Sequence, residues 1–152
     1  MEVMIAAFVL SVGMLGSTAM MLRGIQQADT TNYEAVAAQA AMNMAERMRG
    51  NITGVAAGDY DSETSTTTAV DCSSAACTAA GVADYHLSIW GAELNDLLPA
   101  DSSPTGSVSV LALATPTTDP TYTISVSWDS NQRTATDQAS FVTNTYEMIF
   151  QP

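Results

Sequence analysis

The feature that most constrains this chain is an uncharged apolar run of twenty residues near its N-terminus. The run extends from Val3 to Leu22, between the acidic Glu2 and the basic Arg23. A helix of this length can cross a hydrocarbon core of about 30 Å. A signal peptide has a shorter apolar core, and no small-residue cleavage site follows Leu22. A buried helix of a soluble protein is the other alternative, but twenty charge-free residues are long for one. We therefore expect a membrane-competent helix.

The helical pattern continues beyond this run. Good helix formers fill positions 34–49, and the first proline is Pro99. A set of residues recurs three or four positions apart: Ile25, Ala28, Asn32, Ala35, Gln39, Met42, Ala45 and Met48. This spacing predicts that the second half of the helix is amphipathic and that this set covers a partner.

Positions 50–51 are a glycine and an asparagine, which form a helix stop signal. We predict a single helix over roughly 2–49, which would be about 70 Å long. Residues 1–24 would be an apolar transmembrane or filament-core segment. Residues 25–152 would be the head, which begins with the amphipathic half-helix 25–50.

A polar segment follows the long helix. Residues 51–82 are rich in Thr, Ser, Ala, Gly and Asp and have no helical period, which predicts a loop. Cys72 and Cys77 lie within it, and two cysteines this close form a disulfide in an oxidising compartment. That pairing would favour the periplasmic or extracellular side. A metal site is the alternative, but a C-x4-C pair with no second pair and one distant histidine is a poor ligand set.

A short helix is predicted over residues 84–98, with Asp84 as its cap. Its apolar face would consist of Leu87, Trp90, Leu94 and either Leu97 or Leu98. His86 lies on the same helix. We expect it to be a surface or hydrogen-bonded residue, because no Ser, Cys or Asp stands at a spacing that would support catalysis.

Apolar and polar side chains alternate with period two within residues 106–150, which predicts antiparallel strands. The candidate strands are 107–113, 122–128 and 141–150, and residues 129–132 supply turn chemistry. Two sets of residues are in phase: Tyr122, Ile124, Val126 and Trp128, and then Val142, Tyr146, Met148 and Phe150. A meander with one apolar face needs a cover. The predicted fold class is therefore α+β, with a long N-terminal helix packed on a small antiparallel sheet.

The charge balance limits the possible partners and chemistry. There are 4 Lys+Arg against 16 Asp+Glu, a net charge of −12, so nucleic acid is not an expected partner. Acidic residues occupy every second position at Asp59, Asp61 and Glu63, which makes them weak candidate ligands for a metal such as calcium. The remaining ligand spacing of an EF-hand is missing. No catalytic constellation is present. We expect neither enzyme activity nor a cofactor, and no metal site.

Both ends of the predicted long helix carry distinctive motifs. Residues 2–16 read EVMIAAFVLSVGMLG, and residues 44–51 read MAERMRGN. The first motif is similar to the E-V-(L/M)-(V/I)-A-x-x-(V/I)-(L/I)-S-(V/I)-G-x-L-G start of the PilV-type minor pilins of the type IV pilin superfamily. The second is similar to the M-A-(D/E)-R-(M/I)-R-x-N that ends the family's helix. The cysteine pair, a Trp-containing helix ending at Leu-Leu-Pro, and Val-Ser-Trp-Asp at 126–129 follow in the family's order.

This resemblance implies a pilin-like fold and a structural subunit of a type IV pilus, a minor pilin that primes or modifies filament assembly. It implies other pilin subunits as partners through the N-terminal helix, together with inner-membrane assembly machinery. It also implies a bacterial inner-membrane location with a periplasmic head, then an extracellular filament, and methylation. Glu2 matches the glutamate that pairs with the N-terminal amine of a neighbouring subunit. The alternative is that Glu2 only marks the membrane boundary.

Three other functions stay open from the sequence. They are a type II secretion pseudopilin, a major filament-forming pilin, and a membrane-anchored binding module that works as a monomer. Family members carry a short basic leader and a glycine before the processing site. Only Met1 precedes Glu2 here, so we expect a truncated or late-assigned start.

Overall fold

The computed structural model divides the protein into two compact units. It describes residues 2–66, 68, 71–72, 76–99, 103–111, 120–133 and 139–152. The N-terminal unit ends at Tyr33, and the C-terminal unit begins at Glu34. The architecture is α+β, with a long N-terminal helix and a small four-stranded antiparallel sheet. This confirms the predicted fold class and is consistent with a pilin-like fold.

Helix α1 extends from Glu2 to Gly50, close to the predicted bounds of 2–49. Its charged ends suit the helix dipole. Glu2 lies in the first turn, and Arg47 and Arg49 lie in the last turn. Acidic groups are favoured at a helix N-terminus and basic groups at a C-terminus.

The buried face of α1 in the C-terminal unit differs from the predicted one. The buried side chains are Ala37, Ala40, Ala41, Met44, Ala45 and Met48. Only Ala45 and Met48 belong to the predicted set. Ala35 and Gln39 are exposed, and Met42 is 51% exposed. The prediction was wrong because alanines occupy several faces of this helix, so the spacing alone does not select the face that packs.

The predicted loop over 51–82 contains regular structure at its start. Helix α2 (Ile52–Ala57) follows α1 directly, because the Asn51 side chain accepts a hydrogen bond from the Gly54 amide at 3.3 Å. Gly58 ends the helix with φ of 81°, a left-handed conformation that favours glycine. A helix of six residues is too short to show a hydrophobic period, so the sequence pattern did not predict it.

Helix α3 (Ala79–Leu97) begins earlier than the predicted 84–98. Thr78 is the N-cap rather than Asp84, and its Oγ1 accepts a hydrogen bond from the Gly81 amide at 3.2 Å. The helix starts early because this cap precedes two alanines, which are the best helix formers. The buried apolar side chains of the helix and its C-cap are Ala83, Leu87, Trp90, Leu94 and Leu98. Leu98 rather than Leu97 therefore completes the predicted face.

The sheet is an antiparallel meander, as predicted. Its strands are β1 (Glu63–Thr64), β2 (Thr105–Val110), β3 (Tyr122–Arg133) and β4 (Ala139–Phe150), and they pair in that order. Strand β1 lies in the predicted loop, and its two residues are too few to show alternation. The predicted first strand extended to position 113, but positions 112–113 lie outside the described residues.

The predicted turn at 129–132 is wrong, because these residues continue β3. Asp129 pairs with Thr143, and Ser130 pairs with Val142. The Thr143 hydroxyl donates to an Asp129 carboxylate oxygen at 2.6 Å, and Asn144 Nδ2 donates to Ser130 Oγ at 2.8 Å. Such residues favour turns when they bond to their own backbone. Here they bond to the neighbouring strand instead, and the hairpin is longer than predicted.

The two faces of the sheet differ in chemistry. The buried face consists of Val108, Tyr122, Ile124, Val126, Trp128 and Phe150. Most of the side chains that alternate with these are small hydroxyls, and Asp129, Glu147 and the exposed Ile149 lie on the same outer face. The hydroxyl residues are Thr105, Ser107, Ser109, Thr123, Ser125, Ser127, Thr143 and Thr145. The predicted phase of β3 is confirmed throughout. In β4 the predicted set is buried at Phe150 and half-buried at Tyr146 and Met148, whereas Val142 is 38% exposed.

Trp90 links both long helices to the sheet within the C-terminal unit. Its side chain is completely buried, and its indole N–H donates to the Ala40 carbonyl oxygen of α1 at 3.1 Å. Its six-membered ring lies over Gly106 of β2, where an added Cβ would overlap the ring atoms. Gly106 therefore provides the space that lets α3 pack on β2.

We expect Gly106→Ala to destabilise the C-terminal unit by about 1–3 kcal/mol, because the new methyl group would displace a buried indole. Gly50→Ala is the matched control, since an added Cβ there meets no atom within 4 Å. Thermal melting followed by tryptophan fluorescence would measure both variants. Equal melting temperatures for Gly106→Ala and the parent chain would contradict the packing described for Trp90.

Candidate functional site

The N-terminal part of α1 is apolar and fully exposed. Its most apolar stretch of 18 residues has a mean hydropathy of 2.0, and none of that stretch is buried within the structure. Val3 is 82% exposed, Phe8 70% and Leu15 71%. By length and composition, this helix could cross a membrane. The finding is compatible with the predicted membrane anchor.

The polar side chains of the run Val3–Leu22 are all satisfied by its own backbone. They are three hydroxyls. Ser11 donates to the Phe8 carbonyl oxygen at 2.8 Å, and Ser17 donates to the Met14 carbonyl oxygen at 3.1 Å. Thr18 donates to the same Met14 oxygen at 2.6 Å. An unsatisfied hydroxyl in an apolar medium costs several kcal/mol, roughly 4–8 in an alkane. The segment can therefore enter such a medium without leaving a side-chain donor unpaired.

Glu2 is exposed in the first turn of α1, where the helix dipole favours a carboxylate. It stands next to the apolar run, so entry of the run into lipid would bring this carboxylate to the edge of the hydrocarbon. Ionisable groups at such a position are costly and are commonly functional. The predicted assembly role of Glu2 stays a prediction.

The two cysteines form the predicted disulfide. Cys72 and Cys77 are bonded, with Cα atoms 5.6 Å apart, and both residues are half-buried. The sulfur of Cys72 lies 3.6 Å from the Gly81 carbonyl oxygen in the first turn of α3. An added Cβ at Gly81 would lie 3.3 Å from Cys77 Cβ. The disulfide therefore holds Cys72 beside the beginning of α3.

The acidic residues proposed as weak metal ligands do not form a site. Among the described residues, no group of three or more His, Cys, Asp or Glu side chains is placed to hold a metal ion, and this includes Asp59, Asp61 and Glu63. Asp61 instead lies at an open cleft of about 520 Å³ that is also bordered by Val55 and Tyr122. Burial, followed by the charge of Asp61, raises the pKa of Tyr122 to about 12.

A chain of polar side chains connects the end of α1 to α3. Asn51 Nδ2 donates to the Ala79 carbonyl oxygen at 2.8 Å and to the Tyr60 hydroxyl oxygen at 3.1 Å. The same hydroxyl lies 2.8 Å from His86 Nδ1. Tyr60 is completely buried and Asn51 is 8% exposed. His86 is thus a hydrogen-bonded residue, one of the two roles expected from the sequence.

The surroundings shift the pKa values of both ring groups in this chain. Burial raises the pKa of Tyr60, and the nearby charge of Asp59 adds to that effect. Burial also lowers the pKa of His86, and the positive charge of Arg47 lowers it further. Sequence reasoning missed Tyr60. The available signal was that it is the only aromatic residue between positions 51 and 82.

Comparisons of the chain with models of protein families, with curated proteins and with solved structures found no match.

We expect loss of the disulfide to destabilise the C-terminal unit by about 2 kcal/mol, which is the chain-entropy value for so short a loop. Replacing Cys72 and Cys77 together by serine should lower the melting temperature. A reductant should lower that of the parent chain to the same level and leave the double variant unchanged. A further loss in the reduced double variant would show that the reductant acts elsewhere.

Proposed function

We propose that this chain is a structural subunit of a type IV pilus, a minor pilin that primes or modifies filament assembly. The observation that carries the proposal is the run Val3–Leu22 of α1. It is exposed, it has no charge, and its three hydroxyls are bonded to its own backbone. Such a segment suits an apolar environment that the chain alone does not provide.

A pilus subunit uses two environments of this kind in succession. Before assembly the helix lies in the bilayer, and afterwards it packs among the helices of other subunits in the filament core. Because backbone and hydroxyl groups are already paired within the helix, transfer between these environments leaves no polar group newly unsatisfied. The same segment can therefore act as a membrane anchor and as the assembly surface.

The C-terminal unit supports the proposal through its fold. The continuation of α1 enters this unit, where α3 packs on an antiparallel meander, and a disulfide lies in the segment that connects α2 to α3. The motifs at residues 2–16 and 44–51 resemble those of PilV-type minor pilins. In this proposal the C-terminal unit is the pilin head.

The disulfide supports the proposed location. Disulfides persist in oxidising compartments such as the periplasm and the outside of the cell. The head is accordingly periplasmic while the helix is anchored in the inner membrane, and extracellular once the filament has formed. The partners are other pilin subunits, which bind through the N-terminal helix, and the inner-membrane assembly machinery.

Glu2 has a defined task in this proposal. Its carboxylate pairs with the N-terminal amine of a neighbouring subunit inside the filament, where few other polar groups are available. Because a charge pair in an apolar surrounding is strongly distance-dependent, it sets the axial position of one subunit against the next. A type II secretion pseudopilin would use the same helix in another machine, and pilus location distinguishes the two.

We expect Val12→Asp to release the protein from the membrane. An aspartate near the middle of a membrane helix costs about 2.5–3.5 kcal/mol of insertion free energy. Ser11→Val is the matched control at the adjacent position, because it replaces a hydroxyl that bonds to its own helix by methyl groups and adds no charge. The measurement is the fraction that stays in the membrane pellet after alkaline carbonate extraction. An unchanged pellet fraction for Val12→Asp would show that the run is not the anchor.

We expect Glu2→Ala to leave membrane retention intact but to lower incorporation into filaments several-fold. The control is Glu34→Ala, which removes another exposed carboxylate of α1. Immunoblots of sheared pili against the membrane fraction would give the ratio for each variant. Normal incorporation of Glu2→Ala would rule out the axial role. Absence of the parent chain from sheared pili would contradict the proposed function itself.

A further inference from the structure

The hydrogen bonds of Asn51, Tyr60 and His86 have only one consistent arrangement of protons. The Ala79 carbonyl oxygen can only accept, and the Gly54 N–H can only donate. They fix the Asn51 amide with Nδ2 towards Ala79 and Oδ1 towards Gly54. The second hydrogen of Nδ2 then points at the Tyr60 hydroxyl oxygen, which acts as an acceptor.

This arrangement determines the charge and the tautomer of the His86 imidazole. Since Asn51 donates to the Tyr60 oxygen, the hydroxyl proton of Tyr60 goes to its other partner among the described residues, His86 Nδ1, at 2.8 Å. A ring nitrogen that accepts carries no proton. His86 is therefore neutral, with its proton on Nε2.

We propose that Asn51, Tyr60 and His86 form a proton-sensitive latch, which holds the segment from Asn51 to Tyr60 against α3 at neutral pH and releases it on acidification. The latch joins three parts of the C-terminal unit: the end of α1, the turn that follows α2, and the middle of α3. It is independent of the proposed pilus function.

Protonation of His86 breaks the arrangement. The new proton on Nδ1 would point at the Tyr60 oxygen, whose own proton already points at Nδ1. If the hydroxyl turned away, it would meet the Asn51 amide, which is also a donor. Tyr60 is completely buried, so its displaced O–H would have no acceptor among the described neighbours. A buried donor without a partner is strongly unfavourable, and the contact between Tyr60 and His86 opens.

The charged and titratable groups near the latch either favour a neutral His86 and a protonated Tyr60 hydroxyl or are paired with another group. Arg47 of α1 disfavours a second positive charge on His86. Glu93 of α3 is paired with Arg47, which reduces but does not reverse that effect. Tyr85 lies beside His86 on α3, with ring centroids 6.3 Å apart. Asp59 faces Tyr60 and raises the pKa of its hydroxyl, which keeps that oxygen protonated.

The sign of the pH dependence follows from the lowered pKa of His86. In the unfolded chain the imidazole binds a proton near its ordinary pKa of about 6.5. The folded chain binds it only at lower pH, so the unfolded state holds more protons in between. The contribution of the latch to stability is complete above pH of about 6.5. It decreases as the pH falls from about 6.5 to the folded pKa and is constant below the folded pKa.

The sequence makes this testable without interference, because His86 is the only histidine. We would label histidine with ¹⁵N in the full chain in detergent micelles and record long-range proton–nitrogen spectra from pH 8 to pH 5. The expected result is an Nε2–H tautomer at pH 7.5 and a pKa below 6.5. An Nδ1–H tautomer, or a pKa at or above 6.5, would overturn the proposal.

Two substitutions separate the hydrogen bond from simple burial. Tyr60→Phe removes the donor to neutral His86 and should raise its pKa. Tyr85→Phe is the matched control, because its ring also lies 6.3 Å from the His86 ring but its hydroxyl is outside the latch. It should leave the pKa unchanged. Equal shifts in the two variants would contradict the latch.

The release itself is measured by amide exchange at Gly54, whose N–H donates to Asn51. At a pH below the folded pKa of His86 found in this titration, the parent chain should exchange there several-fold faster than His86→Gln, whose side-chain oxygen can accept from Tyr60 without titrating. The melting temperature of the parent chain should also fall by several degrees between pH 7.5 and pH 5.5, whereas that of His86→Gln should not. Identical exchange and identical melting behaviour would overturn the release.

Discussion

The fully buried indole of Trp90 is the contact on which the C-terminal unit depends. Its ring lies on Gly106 of the sheet, and its N–H bonds to a carbonyl inside α1. That carbonyl keeps its helical bond, because a carbonyl oxygen has two lone pairs. One side chain therefore fixes α3 against both a strand and a helix. The opposite face of the sheet is mostly polar and needs no such cover, which explains why a single layer of helices is sufficient.

The fold was predictable wherever one pattern dominated the sequence. The charge-free run predicts a long helix, and positions 50–51 predict its end. The alternation from Tyr122 to Trp128 predicts a strand with one buried face. The structure contains all three features. The buried face of α1 was not predictable from the spacing. Alanines lie on several faces of this helix, so more than one face could pack in the C-terminal unit. Elements as short as α2 and β1 carry no period, and the polar end of β3 is a strand only because β4 supplies its partners.

The candidate sites also differ in whether the local sequence predicts them. The membrane-competent helix and the disulfide follow from local features of the sequence, namely length, composition and close spacing. The chain from Asn51 through Tyr60 to His86 does not, because its members are separated by 9 and 26 positions and meet only when α3 packs. The sequence indicated Asn51 as part of a helix stop and His86 as a surface or hydrogen-bonded residue. It did not indicate that one buried hydroxyl joins them.

The placement of the arginines has a consequence for the surface charge of the C-terminal unit. Arg47 is paired with Glu93, and Arg49 is paired with Glu46 and lies over the Phe150 ring. Half of the basic side chains of a chain with net charge −12 thus serve its own carboxylates. Two acidic surfaces repel each other over about one Debye length, roughly 8 Å at physiological ionic strength. Dilution of the surrounding salt lengthens this range, so it strengthens the repulsion between any two C-terminal units that approach each other.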